Sequence, residues 1–410
     1  MIYIAVMGYG TVGSGVIEVL EKNAATIRSR VGDTIEVKYI LDLRDFPDSK
    51  YGIRHIKSFE TIENDPEVSV VVEVMGGIRA AFDFTRRSLL KGKHVVTSNK
   101  ELVAARGCEL LNLANEMNVN YLFEASVGGG IPIIKGINQC LLANEITEIY
   151  GILNGTTNYI LTNMIKNGEA FDDILVEAQK KGYAEADPSA DVDGYDACRK
   201  ICILSSLAFG SHLYPEFVST EGISRITTED IAHAKALGRV VKLIGRTVQF
   251  EDGKIFAYVA PHMIPTENPI AGVDDVFNGI VVRGNAIGDV MFYGRGAGKL
   301  PTASAVVTDV MDSIKHKDPT LGIVWKDAGR EILADPDVLK MDAYVRLSSE
   351  SADVESAVKN IFGDCAKPLI PVNGEKSFVI SGTSLAGLES AGQSLAAEGV
   401  KVGIIMPFIA

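Results

Sequence analysis

Short apolar runs alternate with amphipathic segments over about the first 125 residues of the chain. The runs occupy residues 2–7, 34–43, 68–77, 93–100 and 119–126, and each has the length of a strand. Between them, in segments such as "GYGTVGSGVIEVLEKN" and "LVAARGCELLNLANEMN", apolar residues recur at helical spacing. The third run is apolar almost throughout, as expected for a central parallel strand. This alternation predicts a parallel, doubly wound α/β sheet.

The pattern changes over residues 131–285. Longer alternating strands are predicted in "LANEITEIYGILNG" and "KIFAYVAPHMIP", and helices in "DDILVEAQKKG" and "GYDACRKICILSSLAFG". This mixture indicates an α+β domain with a mixed or antiparallel sheet. The next segment, "GRGAGKLPTASAVVTDVMDSIKH", is a Gly-rich loop followed by a helix. We expect it to return to the first domain, so that residues 286–320 complete the domain of residues 1–130.

The C-terminal residues 338–410 predict a third, smaller domain. Its predicted elements are "MDAYVRLSS", "DVESAVKNIFG", "KPLIPV", "KSFVISG", "LAGLESAGQSLAAEG" and "VKVGIIM". They read strand, helix, strand, strand, helix, strand, an order typical of a ferredoxin-like module.

The overall composition excludes several classes of function. The formal net charge of -13 argues against nucleic acid or an anionic membrane surface as a partner. No run of eighteen apolar residues predicts a membrane span, and the N-terminal apolar run has no basic leader. The five cysteines are scattered and do not suggest a disulfide framework. We therefore expect a cytoplasmic protein.

Residues Gly8–Gly13 read G-x-G-x-x-G, directly after the first predicted strand and at the start of the first predicted helix. In this context the motif is typical of a dinucleotide-binding turn, because glycines permit a tight turn and close approach of a pyrophosphate. The N–H groups of the helix N-terminus then face the phosphates. The first domain is therefore predicted to be an NAD(P)-binding domain of the Rossmann type. The turn residues expected at the cofactor are Gly8, Gly10, Thr11, Val12 and Gly13.

The second predicted strand ends in "LDLRD", which leaves the choice between NAD and NADP open. Asp42 is placed to accept a bond from a ribose 2'-hydroxyl, as in NAD-dependent proteins. Arg44 is placed to meet a 2'-phosphate, as in NADP-dependent proteins. A solvent-exposed salt bridge in a turn is the simpler alternative for the two side chains.

Two further segments end predicted strands at the edge of the sheet where ligands bind in this fold class. They are "MGG", with Gly76 and Gly77, and "TSNK", with Ser98 and Lys100. The glycines would let a nicotinamide ribose lie close, and Lys100 would point into the same crevice. An ordinary surface lysine is the alternative interpretation of Lys100.

The segment "YAEADPSADVDGYDACRK" is the most acidic part of the chain and ends in a lysine. Asp196 and Lys200 are four residues apart at the start of a helix that is apolar on most sides. An ordinary solvated helix pair is the alternative. The preceding carboxylates are Glu185, Asp187, Asp191 and Asp193. Their spacing does not fit a calcium loop of the EF-hand type, whereas carboxylates that hold a substrate ammonium group fit better.

Seven segments of the chain, taken in order, resemble the homoserine dehydrogenase family. They are "GYGTVGSGV", "VVEVMGG", "KHVVTSNKELVA", "FEASVGGGIPII", "GILNGTTNYIL", "GYAEADPSADVDGYDACRK" and "GRGAGKLPTASAVV". They span most of the chain, and the fifth and sixth are the most specific. The resemblance implies the interconversion of L-homoserine and L-aspartate 4-semialdehyde with NAD or NADP, in threonine, methionine and isoleucine biosynthesis.

The resemblance also implies roles for individual residues. Lys200 matches the catalytic acid/base, and Lys100 matches a lysine beside it and the nicotinamide. The residues that match substrate-binding positions are Glu185, Asp191, Asp196 and Thr156. The residues that match positions against the cofactor are Gly182 and Gly298. A second lysine and a cationic nicotinamide would lower the pKa of Lys200 from the usual 10.4 or so of a lysine toward a value useful for a base.

The segment "FEASVGGGI" resembles the family's site for a monovalent cation, Na+ or K+. The residues that match its oxygen ligands are Glu124, Val127, Gly129 and Ile131. A glycine turn with Pro132 starting a helix is the alternative interpretation of the same residues.

The resemblance extends to assembly and regulation. Family members are usually dimers that share a sheet in the second domain, so we expect a homodimer or homotetramer whose other partner is the small-molecule substrate. The C-terminal module resembles a degenerate ACT domain, because "SSESADVES" replaces the Asp-x-Pro-Gly turn with which ACT domains often hold an amino acid. No aspartokinase segment precedes the Gly-rich turn, so a monofunctional enzyme is expected. Arg44 followed by Asp45 resembles an Arg-Asp pair of the family and favours NADP.

Two other classes of function remain as hypotheses at this point. A nucleotide-binding sensor without turnover would keep the Gly-rich turn but not the lysines and carboxylates. Another amino-acid oxidoreductase on the same fold would not be expected to combine "NGTTNY" with "EADPSADVDGYD".

Overall fold

The computed structural model describes residues 1–315, 322–349, 353–370 and 376–409. Within these ranges the chain forms three sheets, one for each predicted domain. None of the helices in the described ranges combines the length and the apolar character needed to cross a membrane.

The first sheet is parallel throughout, with the strand order β3-β2-β1-β4-β5-β6. Its strands are β1 (Ile2–Met7), β2 (Ile35–Leu41), β3 (His55–Ile56), β4 (Val68–Glu73), β5 (His94–Thr97) and β6 (Tyr121–Leu122). Its helices are α1 (Thr11–Lys22), α2 (Ala24–Val31), α3 (Glu60–Glu63), α4 (Arg79–Leu90) and α5 (Lys100–Glu116). α1 packs on one face of the sheet, and α4 and α5 pack on the other. The predicted doubly wound sheet is confirmed.

The second sheet is mixed, with the order β12-β11-β7-β9-β10-β8 and one parallel pair, β10 with β8. Its strands are β7 (Ile146–Ile152), β8 (Ser219–Thr220), β9 (Arg239–Gln249), β10 (Ile255–Pro265), β11 (Phe277–Gly284) and β12 (Gly288–Arg295). The helices of this region are α6 (Ile133–Lys135), α7 (Gly155–Asn167), α8 (Phe171–Lys180), α9 (Ser189–Val192), α10 (Tyr195–Phe209) and α11 (Thr228–Ala236). The predicted α+β domain is present, and the structure adds strands that the sequence pattern did not reveal.

Short irregular helices lie between these elements. The 3-10 helices of the first two domains are Gly52–Arg54, Glu124–Ser126, Pro215–Phe217 and Pro269–Gly272, and a π-helix spans Gly136–Cys140. The strand predicted over residues 119–126 is reduced to β6, because the chain turns into the second of these 3-10 helices.

The chain returns to the first domain through α12 (Lys299–Lys315), which packs against α1. The contact is close because Gly15 has no side chain: a Cβ there would lie 2.8 Å from the Lys299 carbonyl oxygen. The structure moves the predicted boundary, since β12 pairs with β11 in the second sheet although residues 286–320 were assigned to the first domain. The last part of that range, residues 316–320, lies outside the described residues.

The C-terminal module has an antiparallel sheet in the order β14-β15-β13-β16. Its elements are β13 (Met341–Ser348), α13 (Val354–Phe362), β14 (Ala366–Pro368), β15 (Lys376–Thr383), α14 (Leu385–Ala397) and β16 (Lys401–Pro407). Two 3-10 helices, Gly329–Ile332 and Gly363–Cys365, lie before and inside it. The element order is that of the predicted ferredoxin-like module. Parts of two segments used in the prediction, residues 350–352 and 371–372, lie outside the described residues.

A buried polar contact attaches this module to the second domain. Asp230 of α11 accepts hydrogen bonds from the Tyr344 hydroxyl (2.8 Å) and the Arg346 Nε (2.9 Å), both on β13. Because all three side chains are buried, the contact fixes the orientation of the module.

Candidate active site

The Gly-rich turn joins β1 to α1 at the carboxyl edge of the first sheet. Gly8 has φ +101°, and a Cβ there would lie 2.9 Å from the Val74 carbonyl oxygen. A Cβ on Gly13 would lie 1.9 Å from the Gly8 carbonyl oxygen. Both positions therefore require glycine for the tight turn that the motif predicts. Thr11 and Val12 lie in the first turn of α1.

A cavity of about 590 Å³ opens beside this turn. Its lining includes Gly8, Gly10, Leu41, Asp42, Arg44, Lys57, Val74, Met75, Gly76 and Ala80. The cavity therefore lies at the carboxyl ends of β1, β2 and β4, where open α/β sheets bind nucleotides.

Asp42 and Arg44 pair with each other at one end of the cavity. The Arg44 Nε and Nη2 donate to the two carboxylate oxygens of Asp42 at 3.0 and 2.7 Å, and the Tyr9 N–H donates to Asp42 at 2.8 Å. These bonds, that of Arg44 above all, hold the pKa of Asp42 well below its usual range. The Asp42 oxygens are thus already occupied, whereas the Arg44 side chain is exposed.

The N-terminus of α5 brings Lys100 to the crevice between the first and second domains. The Asn99 side chain caps the helix by accepting from the Leu102 N–H (3.1 Å), and it donates to the Gly77 carbonyl oxygen (2.7 Å). Ser98 lies just before the cap, and its N–H donates to the Glu73 carbonyl oxygen (3.3 Å). The "MGG" turn and the "TSNK" segment, predicted from separate strands, are therefore in contact.

Asp196 is the centre of the polar cluster in this crevice. One carboxylate oxygen lies 2.6 Å from the Lys200 Nζ and the other lies 2.9 Å from the Lys100 Nζ. The Lys200 Nζ also donates to the Leu153 carbonyl oxygen at 2.7 Å. The Asp196 side chain is only 5% exposed and that of Lys200 10%, whereas that of Lys100 is 38% exposed. One buried carboxylate thus holds both predicted catalytic lysines.

The electrostatics of the cluster follow from its opposite charges. Burial disfavours the charged form of Asp196, but the ammonium groups of Lys200 and Lys100 outweigh it and hold the Asp196 pKa below its usual range. The negative charge of Asp196 in turn raises the pKa of Lys100. Asp196 and Lys100 are therefore both ionised at neutral pH.

Asp191 joins the cluster through Asn154. The Asn154 Nδ2 donates to Asp191 at 2.7 Å and to Asp196 at 2.8 Å, and the Asn154 side-chain oxygen caps α7. Burial and the nearby charge of Asp196 raise the pKa of Asp191. Within the described ranges Asp191 forms no ion pair, so its carboxylate can accept a cationic group. Thr156, in the first turn of α7, donates its hydroxyl to the Tyr183 carbonyl oxygen (2.7 Å).

The structure does not bring every predicted residue into this cluster. The loop that carries Gly182 and Glu185 is exposed, and the Glu185 carbonyl oxygen accepts from the Gln179 side chain (3.0 Å). Gly298 has φ +125° and lies in the loop before α12, where its carbonyl oxygen accepts from Thr302. Asp187 accepts from the Ser189 N–H (3.1 Å), so it acts as a turn residue.

The predicted cation loop lies where the first domain meets α6. The carboxylate of Glu124 accepts the N–H groups of Ile134 (2.8 Å) and Lys135 (2.9 Å), so it caps the start of this helical turn. Burial, with the charge of Asp309, raises the pKa of Glu124 to about 7. The Ile131 carbonyl oxygen accepts from Ile133 at 2.8 Å.

Two glycines turn the backbone of that loop. Gly128 and Gly129 have φ +71° and +55°, and a Cβ on Gly129 would lie 2.6 Å from the Gly296 carbonyl oxygen. The described residues contain no group of three or more His, Cys, Asp or Glu side chains suited to a metal ion. A cation at this loop would therefore have to use mainly backbone oxygens, as a monovalent ion can.

Two polar contributors were missed by the sequence analysis. Asn154 bridges Asp191 and Asp196, and the Leu153 carbonyl oxygen holds Lys200. The available signal was the "LNG" that precedes a predicted helix, because asparagine is a preferred helix cap. Its contact with residues about forty positions later could not be read from the local pattern.

Comparisons with known proteins agree with this geometry. Residues 8–124 match the family model described as "Homoserine dehydrogenase, NAD binding domain". Residues 132–311 match the model described as "Homoserine dehydrogenase". The two matches correspond to the domain with the Gly-rich turn and to the region that contains Asp191, Asp196 and Lys200.

Similar proteins support the same assignment. A homoserine dehydrogenase of Pseudomonas aeruginosa is 42% identical over 85% of this chain and 82% of its own length. One of Synechocystis is 46% identical over 76% of this chain and 73% of its own length. The crystal structure of a homoserine dehydrogenase from Thiobacillus denitrificans matches with a TM-score of 0.89 and 35% identity, covering 100% of this chain and 98% of that one.

A more distant solved structure carries a cofactor. A hyperthermophilic archaeal homoserine dehydrogenase in complex with NADPH matches with a TM-score of 0.66 and 30% identity, over 78% of this chain and 99% of that one. From the family models, the relatives and the folds together, the chain belongs to the homoserine dehydrogenase family, whose members are NAD(P)-dependent oxidoreductases acting on a CH–OH group.

Proposed function

We propose that the Asp196 cluster is the catalytic centre of this chain and that Lys200 moves the proton in the interconversion of L-homoserine and L-aspartate 4-semialdehyde. The observation that carries the proposal is the position of Asp196 between Lys200 and Lys100, in the crevice beside the nucleotide cavity. A carboxylate in this position fixes both lysines without a bound ligand, which is the preorganisation that proton transfer needs.

The hydrogen bonds of Lys200 leave one proton for the substrate. An ammonium group has three N–H donors, and Leu153 and Asp196 take two of them. The third is free to donate to a substrate oxygen during reduction. In the oxidation direction the neutral amine accepts the hydroxyl proton at the same position. The nicotinamide supplies the hydride chemistry when bound.

The carboxylates provide a site for the substrate's ammonium group. Asp191 is the best placed, because it is largely buried and, within the described residues, has neutral side-chain partners and no ion pair. Asp196, Thr156 and Glu185 complete the proposed substrate site. Glu185 lies on an exposed loop, so its contribution requires the substrate to contact that loop.

We propose that NADP is preferred over NAD. The Asp42 oxygens already accept from Arg44 and Tyr9, so they are poorly available to a ribose 2'-hydroxyl. Exposed Arg44 offers a positive charge to a 2'-phosphate at the same end of the cavity. Arg44→Ala should raise the Kd of NADP+ about tenfold and leave that of NAD+ within about twofold. Lys22→Ala is the control, and equal losses for both cofactors would refute the preference.

We also propose a monovalent cation at the Glu124–Ile131 loop. The backbone turn at Gly128 and Gly129 and the buried surroundings of Glu124 support it. Adding Na+ or K+ at constant ionic strength should raise the thermal unfolding midpoint relative to a tetraalkylammonium salt. Equal midpoints in all the salts would remove this part of the proposal.

A homodimer formed through the second domain is the proposed assembly. Among the described strands β12 is an edge strand of the second sheet, next to β11, and its Tyr293 is 57% exposed and stacked on Phe277. Light scattering should give twice the mass of one chain, or four times if dimers pair. A monomer that is active in the assay would contradict the proposal.

The decisive experiment is a cofactor-resolved assay. Purified protein is mixed with L-homoserine and either NAD+ or NADP+, and the absorbance of the reduced cofactor is followed from neutral to alkaline pH. We expect reduction of both, faster with NADP+. No reduction with either cofactor would refute the proposed chemistry, and cofactor binding without turnover would favour the nucleotide sensor. Faster oxidation of a different amino alcohol would favour another oxidoreductase.

Glu185→Gln tests the exposed part of the substrate site. Loss of the charge should raise the homoserine KM by about tenfold with little change in kcat, because a binding carboxylate acts before the chemical step. Asp187→Asn, on the same loop, is the matched control and should change neither constant. An unchanged KM in Glu185→Gln would place the ammonium site elsewhere, with Asp191 as the remaining candidate.

A further inference from the structure

Glu73 is a fully buried carboxylate at the last position of β4. It lies opposite Thr97 of β5 in the parallel register, and the Thr97 hydroxyl donates to its carboxylate at 2.6 Å. The other carboxylate oxygen accepts from the Met75 N–H at 2.9 Å. The relative exposure of Glu73 is 0%. The two bonds tie the end of β4 to the end of β5 and to the turn that follows β4.

The hydrogen bonds continue from Thr97 to both walls of the crevice. The Thr97 Oγ1 accepts from the Asn99 N–H at 2.9 Å. Asn99 in turn donates to the Gly77 carbonyl oxygen and caps α5, whose first residue is Lys100. The chain of bonds therefore links the Met75–Gly77 turn to the backbone that carries Lys100.

The Glu73 charge has only neutral hydrogen-bond donors beside it among the residues that the structure describes. Within the described part of the chain Glu73 forms no ion pair, and Lys100 is directed to Asp196 instead. The neighbouring titratable group is Tyr121 of β6, whose pKa is raised by burial and by the Glu73 charge. Burial raises the pKa of Glu73 itself to about 7, against the bonds from Thr97 and Met75.

The proton on Glu73 determines the direction of the hydrogen bonds. An ionised carboxylate accepts from both Thr97 and Met75, so the Thr97 hydroxyl donates to Glu73 while its oxygen accepts from the Asn99 N–H. A protonated carboxyl has one O–H to donate, and its nearest acceptor is the Thr97 oxygen. The Thr97 hydroxyl hydrogen would then lose its acceptor, and the Thr97 oxygen would have to accept from both Glu73 and Asn99. A hydroxyl that no longer donates is a poorer acceptor, so the bond from the Asn99 N–H would weaken.

We propose that Glu73 is a positioning residue which, through Thr97 and Asn99, holds Lys100 and the Met75–Gly77 turn in register across the crevice. The proposal rests on the proposed function, because it makes the ionised form of Glu73 the form that aligns the lysine pair. Glu73 is too deeply buried to touch a substrate, so it acts through the backbone it holds.

The hydrogen bonds from Glu73 through Thr97 to Asn99 are called the relay below. The variants Glu73→Gln, Thr97→Val and Thr97→Ser test it. Glutamine imitates the protonated carboxyl, and valine removes the hydroxyl at nearly constant volume. We expect both to lower kcat by about tenfold or more, with the homoserine KM within about twofold, whereas serine keeps the hydroxyl and should retain most of kcat. Thr247→Val is the matched control, because Thr247 is equally buried and its replacement also removes a side-chain hydrogen bond, here with the Ser205 hydroxyl.

The pH profile separates positioning from mere structural support. In the wild-type protein kcat should fall on the acid side with an apparent pKa near neutrality. Glu73→Gln should lower the plateau and remove that limb, while Thr247→Val should keep it. A Glu73→Gln protein with the wild-type plateau and profile would overturn the proposal.

A second readout needs no turnover. Hydrogen exchange of the Met75 and Asn99 amides in the protein without added cofactor should become faster in Glu73→Gln and in Thr97→Val, and stay near wild type in Thr97→Ser. Unchanged exchange at both amides in both variants would overturn the relay. If Glu73→Gln does not fold, the comparison of Thr97→Val with Thr97→Ser tests the proposal by itself.

The proposed function and the role of Glu73 can be refuted separately. If the wild-type protein does not oxidise homoserine, the proposed function fails and the exchange measurements still report on the relay. If the wild-type protein is active and Lys200→Ala is not, while Glu73→Gln and Thr97→Val behave as wild type, only the relay is refuted.

Discussion

The start of α10 and the end of β4 each bury a carboxylate beside the same crevice, with opposite electrostatic results. Asp196 lies between two lysines, and its pKa is held below the usual range although burial opposes this. Glu73 has hydroxyl and amide donors but no ion-pair partner in the described part of the chain, and burial raises its pKa to about 7. Both side chains are nearly inaccessible to solvent.

The difference shows that burial alone does not decide how a carboxylate behaves. A buried charge is costly unless an opposite charge and hydrogen bonds compensate it. At α10 this compensation leaves Asp196 ionised throughout the physiological pH range, which suits a fixed anchor for the two lysines proposed to be catalytic. At β4 the neutral donors compensate only in part, which suits a group that changes protonation near neutrality.

The largest expected effect is the loss of Lys200. Lys200→Ala should lower kcat by on the order of 10⁴-fold, about 5 kcal/mol, because it removes the group proposed to transfer the proton. Lys200 is not among the residues that line the cavity beside the Gly-rich turn, so the Kd of the cofactor should stay within about twofold. Steady-state kinetics together with a binding titration measure both quantities.

Lys242→Met provides the matched control for Lys200. Lys242 is also buried and bonded to a backbone carbonyl oxygen, that of Val273 (2.6 Å), but it lies outside the Asp196 cluster. It should lower the unfolding midpoint and leave kcat within about threefold. Turnover near the wild-type level in Lys200→Ala would show that Lys100 or another group moves the proton.

Asp196→Asn should produce the second largest effect. It leaves the buried Lys200 ammonium without a counter-charge, so the free energy of unfolding should fall by about 4 kcal/mol. The pKa of Lys100 should fall at the same time, since the Asp196 charge is what raises it. Chemical denaturation at pH 7.5 measures the first change. A variant as stable as the wild type would mean that solvent already screens the lysine pair.

The sequence predicted one of these two regions and missed the other. Asp196 and Lys200 are four residues apart on one helix, so their pairing is local and follows from helical geometry. Glu73 appears in the sequence as one acidic residue in the apolar run "VVVEVM", and its partner Thr97 is 24 residues away. A charge at the end of a central strand was a signal, but the bonds that give it meaning depend on strand register.

The same distinction applies to the fold. The first sheet and the C-terminal module were predictable, because their strands and helices alternate with clear periods. In the second sheet β9 has five consecutive buried residues, and β11 also has five. Such strands show no alternation of apolar and polar positions, so the sequence pattern cannot separate them from short helical segments.

The third expected effect is a change in how stability depends on pH. A carboxyl whose pKa is higher in the folded protein binds its proton more tightly there than in the unfolded chain. The protonated carboxyl therefore stabilises the folded protein below about pH 4.5. This stabilisation is lost as the pH rises to about 7. The glutamine side chain of Glu73→Gln cannot ionise. Over this pH range the free energy of unfolding should therefore fall less in the variant than in the wild type, by a difference of up to about 3 kcal/mol. Denaturation curves between pH 5 and pH 8 measure the difference.

Glu124 is the internal comparison for this measurement. Its pKa is also raised to about 7, by burial and by the charge of Asp309, so part of the pH dependence should persist in Glu73→Gln. Glu124→Gln combined with Glu73→Gln should flatten the curve further. Parallel curves for the wild type and Glu73→Gln would mean that Glu73 is already ionised at pH 5.

The smallest expected effect concerns a second ion pair between the same two helices. Arg199 of α10 and Glu101 of α5 lie 3.2 Å apart, next to the Lys200–Asp196–Lys100 cluster, but both side chains are about one-third exposed. Solvent screens such a pair, so a double-mutant cycle with Arg199→Ala and Glu101→Ala should give a coupling below about 1 kcal/mol. Turnover should stay within about twofold. A coupling above about 2 kcal/mol, or a large loss of kcat in the single variants, would show that the two helices need both pairs to align the lysines. The exposed carboxylate of Glu101 would then matter for the alignment of the lysines, as the buried carboxylate of Asp196 does.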